Sequence, residues 1–298
     1  MLKHSFFHHS INQESKSFDF ILVVTLVIVA IVLLGNVPLL WMNYYLGADS
    51  LASLTKMISM NGVFMLLLFP FVIGFLTMLI AHRFILKQSL LLLFTVREKF
   101  DWKRFWFAFV IWGAFLIGNL LIASLSGQPI YFQPKWPSFF ILTIISFLIL
   151  PLQTTFEELF FRSFLHKVFS KLFKKGIVSV VLTGVLFGLM HGANPEVEKI
   201  GSVLLLFYIF TGVFLGLIVL MDDGLELSMG YHAVNNIFAA LILTNDWQAF
   251  QTDALFVDKS PPAFGMENVL TLILIQPLLL YLFSKRYKWM NWKERLLS

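Results

Sequence analysis

The stretch FILVVTLVIVAIVLLGNVPLLWM, Phe20–Met42, contains no charged residue. As a helix it is about 35 Å long, enough for a hydrocarbon core of roughly 30 Å. Its apolar residues are continuous, whereas a membrane β-barrel strand alternates them with polar ones. A helix also satisfies its own backbone in lipid, so this stretch reads as a membrane-spanning helix. Working outward from it, seven further apolar runs follow, near 60–83, 104–126, 137–157, 176–192, 200–221, 225–244 and 267–284. The expected fold class is all-α, a polytopic membrane helix bundle of about eight transmembrane helices.

Composition agrees. Of 298 residues, 58% are apolar and 13% charged, against roughly half and a quarter in a soluble chain. A soluble enzyme, a disordered protein and a nucleic-acid-binding module are excluded. The net charge of +5 is not a nucleic-acid signal, because the basic residues fall between apolar runs. The expected partner on these grounds is therefore a lipid bilayer, with no nucleic acid. There is no cysteine, which removes disulfides, thiolate nucleophiles and Cys-type metal sites.

Residues 1–18 are polar and His-rich, and the run after them is too long for a signal-peptide core. They read as a cytoplasmic tail, with His8–His9 solvated rather than metal-binding. Residues 19–298 read as a single transmembrane domain. Eight spans place both termini on one side. All Lys and Arg except Lys56, Lys135, Lys199 and Lys259 then share that side. The positive-inside rule makes it the cytoplasm, and the pattern suits a bacterial inner membrane. Leu90–Phe94 is too short to cross and reads as interfacial, anchored by Arg97, Lys99, Trp102 and Lys103. The 245–266 loop, with Pro261–Pro262, reads as an irregular external connection. Residues 137–150 are surplus to a straight fourth span, and Pro151 is placed to kink it.

Charges inside spans are costly and mark sites by default. Three clusters stand out: Thr155-Phe-Glu157-Glu158-Leu-Phe-Phe-Arg162, Phe187-Gly-Leu-Met-His191, and His232-Ala-Val-Asn235-Asn236. Glu158 and Arg162 share a helix face and can pair. Glu157 points about 100° away and is left free for chemistry. His232 and Asn236 also share a face. Glu157, His191 and Asn236 lie roughly 20–22 Å from the cytoplasmic boundary, with His232 one turn shallower, so the four fit one layer. Each cluster also has a structural reading. A Glu–Arg pair ties helices together, a lone His bonds a carbonyl, and His232 with Asn236 joins helices. His166, near Lys167 and Lys171, reads as interfacial, and Asn235 as bonding a neighbour.

In this order, E-E-x-x-x-R (Glu157, Glu158, Arg162), F-x-x-x-H (Phe187, His191) and H-x-x-x-N (His232, Asn236) resemble the CPBP family. It comprises the CAAX prenyl endoproteases and the bacteriocin-processing or self-immunity (Abi-type) proteins. The resemblance covers about residues 135–245, the expected catalytic core. It implies an intramembrane endopeptidase whose partner is a peptide or membrane-protein substrate, membrane-associated and either CAAX-like or a leader peptide. Glu157 and His191 would activate a water, His232 and Asn236 would stabilise the oxyanion, and Glu158 and Arg162 would give structural support. The family is commonly labelled metalloprotease, yet a metal-free route has been argued for it. No H-E-x-x-H is present. A divalent metal such as zinc, if present, would be held by Glu157, His191 and His232. The other open reading is a non-proteolytic membrane protein: a self-immunity factor, a scaffold or a transporter.

Overall fold

The computed structural model describes residues 17–48 and 51–297, so His8–His9 and most of the N-terminal tail lie outside the described residues. The expected all-α bundle is what forms. The first apolar run gives α1 (Ser17–Ala30) and α2 (Val37–Leu46), joined by a π turn at Ile31–Gly35. Then come α3 (Leu51–Ile58), α4 (Met60–Phe84), α5 (Trp102–Leu125), α6 (Trp136–Leu148), α7 (Leu150–Glu158) and α8 (His166–Phe173). The chain continues with α9 (Gly176–Met190), α10 (Pro195–Ile200), α11 (Val203–Asp222) and α12 (Glu226–Ile237). It ends with α13 (Met266–Leu270), α14 (Gln276–Tyr287) and α15 (Trp292–Leu297).

Among the described residues, six continuous helical stretches are long and apolar enough to cross a membrane: Phe18–Leu46, Met60–Phe84, Trp102–Leu125, Trp136–Phe173, Val203–Asp222 and Met266–Tyr287. Their outward faces carry large apolar side chains such as Leu34, Ile80, Leu121, Phe140 and Ile273, each more than half exposed. A soluble bundle would turn such residues inward; these face lipid.

The expected count of eight therefore resolves into six long helices and two short ones. The run near 176–192 stops as α9, because the chain turns at His191–Asn194 before Pro195 opens α10. The run near 225–244 becomes α12 followed by a π turn at Phe238–Ile242. Every residue from Glu226 to Val234 is buried, so α12 lies inside the protein and carries polar groups that a lipid-facing helix would not.

The fourth run also differs from its expected extent, 137–157. It continues to Phe173 and breaks at Ile149. Pro151 has no N–H to donate and its ring crowds the preceding turn. The backbone restarts there, with the N–H groups of Leu152 and Gln153 both bonded to the Ile149 carbonyl. Beyond Glu158 the helix widens into a π segment, Leu159–Leu165, before α8. This longer path also buries His166, expected at the interface, and its neighbour Lys167, whose Nζ donates to Ser163 Oγ at 3.1 Å.

The connections gather at two ends. At the first, Thr95 bridges Gly224, Leu225 N–H bonds the Phe94 carbonyl, and Arg295 pairs with Asp223 at 2.7 Å. Leu90–Leu93 forms one 3-10 turn there, too short to cross, with Leu93 fully buried and Leu90 exposed. At the second end lies a small sheet: β1 (Ile130–Phe132) pairs antiparallel with β3 (Phe256–Asp258), which pairs parallel with β2 (Leu243–Thr244). The 245–266 connection is thus partly ordered, held also by Lys135 and Ser138 on Asp253. Since α12 leaves Gly224 at the first end and leads to β2 at the second, it carries the chain through the bundle.

Candidate active site

Glu157 and Glu158 close α7, and Arg162 follows in the π segment. π segments are rare and are frequent at functional sites. Glu158 and Arg162 are both fully buried, and Arg162 Nη1 donates to Glu158 Oε1 at 3.1 Å. The guanidinium also donates from Nη2 to the Gly212 carbonyl at 3.4 Å and lies 4.2 Å over the Phe187 ring. Gly212 allows this because α9 and α11 touch there: a Cβ on Gly212 would come within 2.9 Å of Gly184 Cα.

His232, from α12, stands between the two carboxylates. Its Nδ1 is 2.9 Å from Glu158 Oε1 and its Nε2 is 3.3 Å from Glu157 Oε2. A carboxylate accepts, so the Nδ1 proton points at Glu158. Nε2 is then presented to Glu157, as a lone pair on the neutral ring or as a second N–H on the imidazolium. The pairing expected from spacing, Glu158 with Arg162, is therefore a three-part unit. Glu158 Oε1 receives Arg162 from one side and orients His232 from the other.

Asn236 lies one turn beyond His232. Its Nδ2 donates to Gln153 Oε1 at 3.0 Å, and its Oδ1 accepts from Asn235 at 3.3 Å. Asn235 Oδ1 in turn accepts from Trp112 Nε1 at 3.2 Å. Gln153 was missed by sequence reasoning. It is buried and sits one turn before Glu157, at the spacing that puts two residues on one helix face, a signal that was available.

His191 follows the last residue of α9. Its Nδ1 is 2.7 Å from the Phe187 carbonyl. A carbonyl only accepts, so Nδ1 carries a proton, and in the neutral ring Nε2 is the nitrogen with the lone pair. Phe187 packs beneath both histidines, with ring centroids 4.6 Å from His191 and 6.0 Å from His232. Tyr208, also missed, stacks on His191 at 4.2 Å and 22°.

The three groups considered for a metal do not converge as a ligand set. Among the described residues, no group of three or more His, Asp or Glu is arranged to hold a metal ion. His232 directs both ring nitrogens at carboxylates, and His191 commits Nδ1 to Phe187. The donor set present does not fit a three-ligand zinc site.

Residues 134–238 match the family described as Type II CAAX prenyl endopeptidase Rce1-like. The uncharacterized protein YyaK of Bacillus subtilis (strain 168) is 30% identical over 167 residues. That alignment covers 55% of this chain and 56% of YyaK, so the chain spans about half the length of this curated relative. No solved structure matches. The family match opens just before α6 and closes just after α12, and holds Glu157, Glu158, Arg162, His191, His232 and Asn236. The part of the chain that carries all three motifs is thus the part that is similar to the Rce1-like family, residues 134–238.

Proposed function

We propose that the chain is an intramembrane endopeptidase that hydrolyses a peptide bond of a membrane-associated substrate, either CAAX-like or a leader peptide. The observation that carries this reading is His232 held by Glu158 with its Nε2 3.3 Å from Glu157 Oε2. A buried carboxylate beside an oriented imidazole places a base for water next to a donor for the oxyanion. The Rce1-like match over the same residues points to the same reaction class.

In this reading Glu157 takes a proton from a water as its oxygen attacks the scissile carbonyl. His232 Nε2–H and Asn236 Nδ2–H donate to the oxyanion, with Asn236 turning from Gln153 to do so. Glu158 holds the imidazolium in place, and loss of one such oxyanion donor typically costs about 10²–10³ in rate. His191, through its unprotonated Nε2, assists Glu157 in activating the water. The proton then goes to the leaving amine. The catalytic core is about 135–245, within one transmembrane domain spanning 19–298. We place the first end of the bundle in the cytoplasm of a bacterial cell, with both termini there, on the positive-inside rule.

The test compares peptide termini by mass spectrometry in cells expressing the wild-type chain or Glu157→Gln at matched levels. Termini that appear only with the wild type establish proteolysis and name the substrate. Identical sets of termini, from cells in which both proteins insert, overturn the reading and favour a non-proteolytic role.

A further inference from the structure

We infer that Tyr208 and Glu196 are positioning residues that hold the His191 imidazole in one tautomer and one orientation. The inference rests on the proposed role of His191 and deepens it.

His191 is placed where backbone control is weak. It is the first residue past the last turn of α9, at φ −85° and ψ −1°, and the chain turns immediately after it. The ring has one hydrogen bond, Nδ1 to the Phe187 carbonyl. A single bond leaves the ring free to swing, and a swing that breaks it frees the proton to move to Nε2. The nitrogen needed as a base would then be protonated.

Tyr208 supplies the second restraint. Its ring lies nearly parallel to the imidazole, at 4.2 Å. It comes from α11, the helix packed along α9, so the stack joins the loose end of one helix to the body of another. The tyrosine is itself anchored, because its hydroxyl donates to Glu196 Oε1 at 2.9 Å. Asn194 Nδ2 donates to the same oxygen at 3.0 Å. Glu196 and Asn194 both belong to the turn and short helix that follow His191. The chain thus loops from His191 through Glu196 and returns to clamp His191 through Tyr208.

The chemistry of Glu196 argues for a purpose beyond packing. It is 8% exposed, and its Oε2 is buried with no hydrogen-bond partner. A buried oxygen left unsatisfied is costly. A phenylalanine at 208 would pack on the imidazole as well and would need no buried carboxylate. What the hydroxyl–carboxylate bond adds is a fixed direction for the ring, and through it for His191 Nε2. Neither residue falls within the three motifs, and neither bonds Glu157 or His232.

The experiment reads the tautomer directly. The full-length protein is labelled with ¹⁵N-histidine and purified in detergent, and the His191 resonances are assigned by their loss in His191→Gln. Wild type should show one tautomer, with Nδ1 protonated. Tyr208→Leu should move both nitrogens toward averaged shifts. Tyr208→Phe and Glu196→Gln, which keep the stack but release its anchor, should move them partway. On a substrate identified by the termini comparison, Tyr208→Leu should lower kcat by about ten- to a hundredfold, the scale of a misplaced catalytic group. KM should stay within about twofold, as for a group acting after binding. If Tyr208→Leu does not fold, Tyr208→Phe and Glu196→Gln decide the matter. An unchanged His191 tautomer in the folded variants, or a wild-type His191 not protonated on Nδ1, overturns the inference. A wild type that cleaves nothing while the tautomer shifts overturns the proteolytic reading alone and leaves the clamp standing.

Discussion

Arg162 is fully enclosed, and its bonds to Glu158, the Gly212 carbonyl and the Phe187 face join three helices. Buried ion pairs are seldom strongly stabilising on balance, but removing one partner is expensive. Arg162→Ala is therefore expected to destabilise the protein by about 3–5 kcal/mol, since Glu158 stays buried with only His232 to balance it. Adding Glu158→Gln should recover part of that loss. Thermal unfolding in detergent measures both. A loss for Arg162→Ala below about 1 kcal/mol, the range of exposed pairs, would contradict the burial described. At this scale much of the site was legible. Spacing put Arg162 with Glu158 and set Glu157 apart, and both appear in the geometry. What spacing left out is that Glu158 also binds His232, 74 positions further on. The Tyr208 stack on His191 was hidden for the same reason: a contact between two helices depends on their packing angle, which no periodicity within either helix encodes.

Between elements, the contact of α9 with α11 fixes where His191 and Phe187 stand relative to Tyr208 and the Gly212 carbonyl. Small residues let helices approach closely where lipid offers no hydrophobic drive. A Cβ on Gly188 would meet Ile209 N at 2.7 Å and its Cγ1 closer still, whereas a Cβ on Gly118 in α5 meets nothing within 4 Å. The same substitution should thus act oppositely at the two sites. Gly188→Ala should cost about 1–3 kcal/mol through overpacking. Gly118→Ala should be neutral, or stabilising by up to about 1 kcal/mol through helix propensity. Equal unfolding temperatures for the two variants would show that α9 and α11 are not in this contact. Element boundaries were less readable than element type. Apolar runs announced all the long helices, but α12, with Ser228, His232, Asn235 and Asn236, departs from the rule that spans face lipid. Its enclosure depends on α5 and α7 lying against it, information held in other segments. The three short strands were unreadable for a similar reason, since a two- or three-residue segment carries no pattern until its partners are placed.

For the molecule as a whole, charge and connectivity agree although the helix count differs. The first end collects a network in which Arg97 and Arg104 bind Asp222, Arg97 binds Glu226, Trp289 Nε1 donates to Asp222, and Arg295 binds Asp223. These residues come from the 84–103 connection, the start of α5, the α11–α12 turn and the C-terminal segment. They are the segments that the distribution of Lys and Arg assigned to one side. The second end holds the small sheet and the Lys135–Asp253 pair, with Lys259 just beyond β3. Had α12 failed to cross the bundle, Asp222 and β2 would share one end, and the two networks would not separate as they do. Short α12 thus carries the chain between the two ends alongside the six long helices found among the described residues. The expected outcome is that a reporter fused after Ser298 reads cytoplasmic and one inserted at Lys259 reads external, in the same host. Both reporters on one side would mean that the segment Met266–Tyr287 does not cross. Exchanged sides would mean that the acidic partners in the network offset its arginines as topology signals, and the bundle would have to be inverted.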